Sequence, residues 1–343
     1  MKEHMGISRE SAPSYVALFE SGCLQERVQT LLNRLGSCDV CPRNCGVDRA
    51  NGEMGYCASG RQVLVASACA HRGEEPPVSG SRGSGTVFFA NCNLRCVFCQ
   101  NFQISQSPEM HAADALTPEG LAGEMLRLQD ESHCHNINLV SPTHFVPQIV
   151  EALAVAIPLG LRLPLVYNTN SYDSVSVLRL LDGIVDVYLP DLKYSSDGVA
   201  SRLSGARDYV AVSRAAIKEM YRQVGSDLVL DDEGVVRRGM IVRHLVLPGG
   251  LAGSRESLTW LAQEVSNEVS VSIMAQYYPA HKAVGMPVLS RAVARSEYDE
   301  VVRVADELGF QHVWVQEPQA SLHYRPDFSS KGHPFEPGNA SNG

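Results

Sequence analysis

The sequence lacks any apolar run long enough to cross a bilayer. Its most apolar stretches, such as residues 149–161, fall short of about 20 residues, and that one is interrupted by Glu151 and Pro158. The first twenty residues, MKEHMGISRESAPSYVALFE, are threaded with charge and contain no signal-peptide core. Excess positive charge is missing too: 29 Lys and Arg stand against 38 Asp and Glu, a net −9 that disfavours a protein whose main partner is nucleic acid. At 20% charged and 44% hydrophobic, the chain has too little charge for a disordered one. These absences lead us to expect a folded, soluble, cytoplasmic protein with no membrane or nucleic-acid partner. The 343 residues suit one large domain, or one domain with a small appendage.

Cysteine, in contrast, is abundant. There are ten, and in a reducing compartment clustered cysteines more often bind metal or do chemistry than pair as disulfides. Seven fall into two groups, Cys38, Cys41, Cys45 and Cys57, then Cys92, Cys96 and Cys99. Cys23, Cys69 and Cys134 are isolated and read as small buried hydrophobes, although Cys69 is near enough to the cysteine-rich regions to replace a ligand. Between the groups, residues 71–85 (HRGEEPPVSGSRGSG) read as a connecting loop. This divides the chain into a cysteine-rich segment at 1–79, a main domain at 80–320 and an irregular tail at 321–343.

Beyond the loop, β-rich runs at 86–90, 136–140, 163–167, 184–189, 240–247, 269–276 and 312–316 alternate with helical patterns at 117–130, 145–156, 209–224, 254–265 and 296–308. Thr117 followed by Pro118 marks one helix start and Ser254 with Glu256 another. Residues 228–238 break the alternation as a hairpin around Asp232-Glu233-Gly234. Strands alternating with helices imply right-handed crossovers, hence an α/β fold that is either a (β/α) barrel or an open doubly wound sheet.

Cys92-x3-Cys96-x2-Cys99 directly follows the apolar run TVFFA, at the C-terminal end of the first main-domain strand, where barrel chemistry sits. Three soft thiolates in one short loop can hold an iron–sulfur cluster or zinc and leave one coordination position open. With Phe98 before the last cysteine, the motif resembles the signature of the radical S-adenosylmethionine (SAM) superfamily. That resemblance implies a partial (β/α)6-type barrel and a [4Fe-4S] cluster whose fourth iron is chelated by SAM. It also implies reductive cleavage of SAM to a 5′-deoxyadenosyl radical, and a reductant such as flavodoxin or ferredoxin.

Over most of residues 82–317 the chain is most similar to pyruvate formate-lyase activating enzymes and their relatives, a lyase-activating class of oxidoreductase. By that resemblance Phe98 lies beside the adenine, and Lys193 of Asp191-Leu192-Lys193 binds the SAM carboxylate. Arg243 begins the matching RHLVLPG, and His281 falls where the family places a cofactor-contacting histidine. Two strand ends depart from the pattern. Ser141-Pro142-Thr143-His144 replaces a Gly-Gly-Glu, making Thr143 and His144 the candidate acceptors for the SAM amino group. Asn168-Thr169-Asn170 replaces an Asp-Thr-Asn and loses a charge that would help hold a monovalent cation. The resemblance implies hydrogen abstraction from a glycine of a partner protein or from a small molecule.

Cys38-x2-Cys41-x3-Cys45-x11-Cys57 supplies four thiolates, enough to close a zinc site or a second [4Fe-4S] cluster, with Arg43 and Arg49 near to offset their charge. Two other functions fit two cysteine groups: a non-catalytic iron–sulfur electron carrier and a zinc-containing binding module.

Overall fold

A computed structural model describes residues 12–106, 114–316, 325–329 and 333–335. Among the described residues, ten strands form one sheet: β1 (Val63–His71), β2 (Ser84–Phe89), β3 (Asp114–Leu116), β4 (Ile137–Val140), β5 (Leu165–Thr169), β6 (Val187–Pro190), β7 (Val229–Leu230), β8 (Val236–Leu245), β9 (Ser270–Met274) and β10 (Val313–Val315). The seven strand-like runs of the main domain correspond to β2, β4, β5, β6, β8, β9 and β10. These are parallel neighbours in that order. Helices occupy Pro118–Asp130, Val146–Ala156, Tyr209–Val224, Ser254–Glu264 and Arg295–Glu307, within a residue or so of their sequence patterns. Thr117 caps the first through its hydroxyl, which accepts from Gly120 N at 3.2 Å. Ser254 does not cap its own helix; the N-cap is Gly253 in a left-handed conformation.

Alternation along the strands separates two layers. Leu165, Tyr167, Tyr188, Met240 and Val242 join the large core beneath the helices. Val166, Val187, Leu189, Val236 and Ile241 point the other way and form a dry plug with Val78. Two residues farther along the same faces come polar groups: Asn168 beyond Val166, Asp191 beyond Leu189 and Arg243 beyond Ile241. Phe88 of β2 and Trp314 of β10 border one cavity, so the mixed α/β sheet curls into a partial barrel.

The boundary expected near residue 80 does not divide the sheet. β1, apolar and β-rich, pairs antiparallel with β2 and carries β3 on its other edge, so part of the cysteine-rich segment belongs to the main sheet. A buried strand must spend its backbone hydrogen bonds somewhere, and β2 offers the neighbouring edge. Helices Ser14–Glu20 and Cys23–Asn33 pack Tyr15, Leu24, Val28 and Leu31 into the main core. Cys23 is exposed at the start of its helix, against expectation, whereas Cys69 and Cys134 are buried. Residues 229–230 pair back on β8 as the expected hairpin. In the tail, Phe328 packs with Phe88, Cys69 and Ile104, and Phe335 stacks on His71 at 4.2 Å.

His244 of β8 joins three parts of the barrel: Nδ1 donates to Leu192 O at 2.7 Å, and Nε2 accepts from Ser254 Oγ at 2.8 Å. Burial lowers its pKa to about 4, and does the same to His144, to about 3. The unfolded chain protonates such residues near pH 6.5, so between that value and about 4 the unfolded state binds more protons. Stability therefore falls as pH drops through this window. For His244 the loss reaches about 3 kcal/mol. Urea titrations at pH 7.5 and 5 are expected to show it, with a shallower acid dependence in His244→Gln; identical slopes in the two proteins would remove His244 as a source.

Candidate functional site

The loop after β2 carries Cys92, Cys96 and Cys99 and is tied to distant elements through its backbone. Arg95 N donates to Ser204 O at 3.1 Å, Val97 N to Leu203 O at 2.8 Å, and Val97 O accepts from Ala283 N at 2.9 Å. Asn91, at φ 67°, turns the chain out of the strand. The thiols have donors of their own. Leu94 N lies 3.4 Å and Asn170 Nδ2 3.5 Å from Cys92 Sγ, and Ser204 Oγ is 3.0 Å from Cys96 Sγ. Ser105 Oγ stands 3.3 Å from Cys99 Sγ. Burial and then the neighbouring Cys96 push the thiol of Cys92 up to about 12, and the same causes push Cys99 up to about 11. As free thiols these groups stay protonated at neutral pH, and a bound cation is what displaces such protons.

A cavity of about 800 Å³ opens at the strand ends, within the range of ligand sites. Its lining includes all three cysteines together with Phe98, Asn168, Asp191, Lys193 and Arg243. Lys193 Nζ donates to Asp191 Oδ2 at 2.6 Å. Burial works against the lysine's charge, but Asp191 and then Cys96 outweigh it and raise its pKa. Asn170 Nδ2 also donates to Asn93 Oδ1 at 2.8 Å, which fixes the loop beside β5.

Three expected residues do not line the cavity. Ser141, at φ 56°, faces it and turns the chain, so that Thr143 and His144 lie behind the strand ends. Thr143 Oγ1 donates to Asp173 Oδ1 at 2.8 Å, and His144 Nε2 donates to Ala90 O at 3.0 Å. Both are buried, and His144 Nδ1 is left without a partner. His281 stacks on Phe102 at 5.1 Å.

The loop read as a linker instead supplies part of the wall, Glu74 and Glu75 among its residues. Arg243 Nε donates to Glu75 Oε1 at 3.0 Å, and Nη2 reaches both carboxylates. Asn138 Nδ2 donates to Glu74 Oε1 at 2.8 Å. Burial opposes the charge on Glu75, and Arg243 overcomes it, holding the carboxyl below its usual range. Arg243 is therefore spent on protein carboxylates. An acidic pair inside an otherwise Gly- and Pro-rich stretch was the only sequence signal for this wall.

Cys38, Cys41, Cys45 and Cys57 come together on a loop outside this cavity. Burial, opposed by the Arg43 backbone N–H and reinforced by Cys57, Cys38 and Cys45, pushes Cys41 up to about 12. Among the described residues, no three His, Cys, Asp or Glu side chains are gathered as they would be around a single ion. No described helix is long and apolar enough to cross a membrane.

No protein-family model matches the chain. It is 29% identical over 298 residues to an uncharacterised protein of Methanocaldococcus jannaschii, covering 85% of this chain and 80% of that one. Among solved structures it is similar to HydG, a maturase of the [FeFe]-hydrogenase (TM-score 0.45, 12% identity, 67% of this chain and 51% of that one). HydG from Carboxydothermus hydrogenoformans (0.45, 13%, 68% and 53%) and anSMEcpe with bound AdoMet (0.43, 12%, 66% and 61%) are also similar. The chain spans between half and about three fifths of the length of these structures.

Arg243→Met is expected to leave Glu74 and Glu75 buried without their cation, at a cost of about 3–5 kcal/mol. Adding Glu74→Gln and Glu75→Gln should recover part of it. Chemical denaturation of the two proteins measures both effects, and equal stabilities would mean that the carboxylates do not need Arg243.

Proposed function

We propose that this chain is a radical SAM enzyme. The observation that carries the reading is the convergence of Cys92, Cys96 and Cys99 with the Asp191–Lys193 pair at the mouth of one cavity. Three thiols with hydrogen-bond donors at their sulfurs suit a [4Fe-4S] cluster with one open iron. When bound, the cluster and SAM together supply one-electron cleavage of a carbon–sulfur bond and a hydrogen-abstracting adenosyl group.

The chain's own residues do the rest. Lys193, held in place by Asp191, meets the carboxylate of the ligand, while Phe98 provides an apolar face for its purine. A plug of buried apolar residues lies under the polar layer. A low-potential one-electron donor such as a flavodoxin or ferredoxin would supply the electron. A non-catalytic electron carrier would need a shell for its cluster, not an adjoining cavity of this size.

For the substrate we favour a small polar molecule over a glycine of a partner protein. Pro326 and Phe335 of the chain's own tail form part of the cavity wall, beside the Glu74–Arg243–Glu75 group. A partner's loop would have to enter past that wall.

Anaerobic protein reduced with dithionite is expected to convert SAM to methionine and 5′-deoxyadenosine, with no product from the Cys92→Ala, Cys96→Ala, Cys99→Ala protein. Lys193→Ala should keep its cluster and weaken SAM binding about ten- to a hundredfold, the loss of a charge-assisted hydrogen bond. Unchanged affinity would remove Lys193 from the site; equal product with and without the three cysteines would overturn the reading.

A further inference from the structure

We infer that Cys38, Cys41, Cys45 and Cys57 bind a second [4Fe-4S] cluster, on the outer side of the loop that carries Cys92, Cys96 and Cys99. The inference rests on the cysteine geometry and is independent of what the cavity does.

The segment is folded around its sulfurs. Cys38 N donates to Val47 O at 2.9 Å and Cys38 O accepts from Gly46 N at 3.0 Å, closing a short loop over Cys41 and Cys45. Asn44, Gly46 and Ala58 all have positive φ, so the backbone is bent sharply on both sides of the cysteines. Gly55 is the tightest point. A Cβ there would stand 2.8 Å from both Cβ and Sγ of Cys45, so only glycine lets the chain pass over that sulfur.

Two donors serve the thiolate form: Tyr56 N lies 3.4 Å from Cys45 Sγ and Arg49 Nη1 3.8 Å from Cys38 Sγ. Arg49 is almost wholly buried and is fixed by His144 O at 2.8 Å and Gly60 O at 3.1 Å. A buried guanidinium beside Cys38 offsets part of the charge that ligation would create.

Four thiolates suit either zinc or a four-iron cluster. Around one zinc ion, with Zn–S near 2.3 Å, tetrahedral sulfurs stand about 3.8 Å apart. A cubane places its irons between the thiolates, which then stand farther apart. In neither cysteine set are three sulfurs drawn together as around one ion. The position fits as well. Arg43, between Cys41 and Cys45 in sequence, donates to Asn93 O at 2.9 Å, inside the other cysteine loop, and to Gly205 O at 2.7 Å. Its guanidinium lies over the rings of Tyr56, at 3.8 Å, and Tyr172, at 5.0 Å. Tyr172 O accepts from Asn93 Nδ2 at 2.7 Å, so Arg43, Tyr172 and Asn93 link the two loops.

The test uses full-length protein reconstituted anaerobically with ferrous iron and sulfide, assayed for iron, sulfide and zinc and by EPR after dithionite reduction. Wild type is expected to hold about eight irons per chain. The Cys92→Ala, Cys96→Ala, Cys99→Ala protein should retain about half of them, with an EPR signal that SAM does not move. Cys41→Ala with Cys45→Ala, and separately Gly55→Val, should also halve the iron while leaving a signal that SAM does move. Little or no iron in the triple variant, or one zinc in its place, overturns the inference. Failure of the proposed function has a different signature: the iron counts hold, but SAM moves no signal in any of the proteins.

Discussion

Parallel strands joined by helical crossovers all run in one direction, and this constraint organises the molecule. Each of β2, β4, β5, β6, β8 and β9 ends at the same rim, so groups far apart in sequence meet there. Asn168, Asp191 and Arg243 come from three different strand ends, yet each sits two residues beyond an apolar residue of the same inward-facing layer. The dry plug and the polar rim are thus successive turns of one pleat. Shifting a strand by one residue would send its polar group into the helix-facing core.

The rim concentrates charge where water is scarce, and the charges survive there in groups. Glu74 and Glu75 share Arg243, and Asp191 holds Lys193. Buried ion pairs add little net stability against apolar packing of the same volume, because desolvation consumes most of the attraction. Their presence at a cavity, where apolar residues would have packed more simply, is the departure from core logic expected of a site that must meet a polar ligand.

The two cysteine loops solve one problem twice. Buried thiols resist ionisation, and each loop answers with N–H, hydroxyl or guanidinium donors aimed at sulfur and with backbone bonds that hold the sulfurs in place. Arg43 ties the two solutions together across Asn93, which sets the N-terminal segment against the loop of Cys92, Cys96 and Cys99 despite its distance in sequence.

Much of this was legible before any coordinates. Strand and helix periods are local, so the seven parallel strands and five of the long helices could be read from spacing alone, though not the helix Cys23–Asn33. The three-cysteine loop could be placed at a strand end for the same reason. Asn168 and Asp191, whose direction follows from the pleat, were legible with it, and Lys193 was singled out by the resemblance of Asp191-Leu192-Lys193 to a family motif. β1 was not, because a strand that joins a sheet from before a Gly- and Pro-rich loop looks like part of a separate segment until its partners are known. Nor was the commitment of Arg243 to Glu74 and Glu75, about 170 residues away, or the turning of Thr143 and His144 behind the rim by a left-handed Ser141. Those outcomes depend on which neighbour fills a given space. Only tertiary packing decides that, since the partners of a buried charge are chosen by distance through the fold and not along the chain.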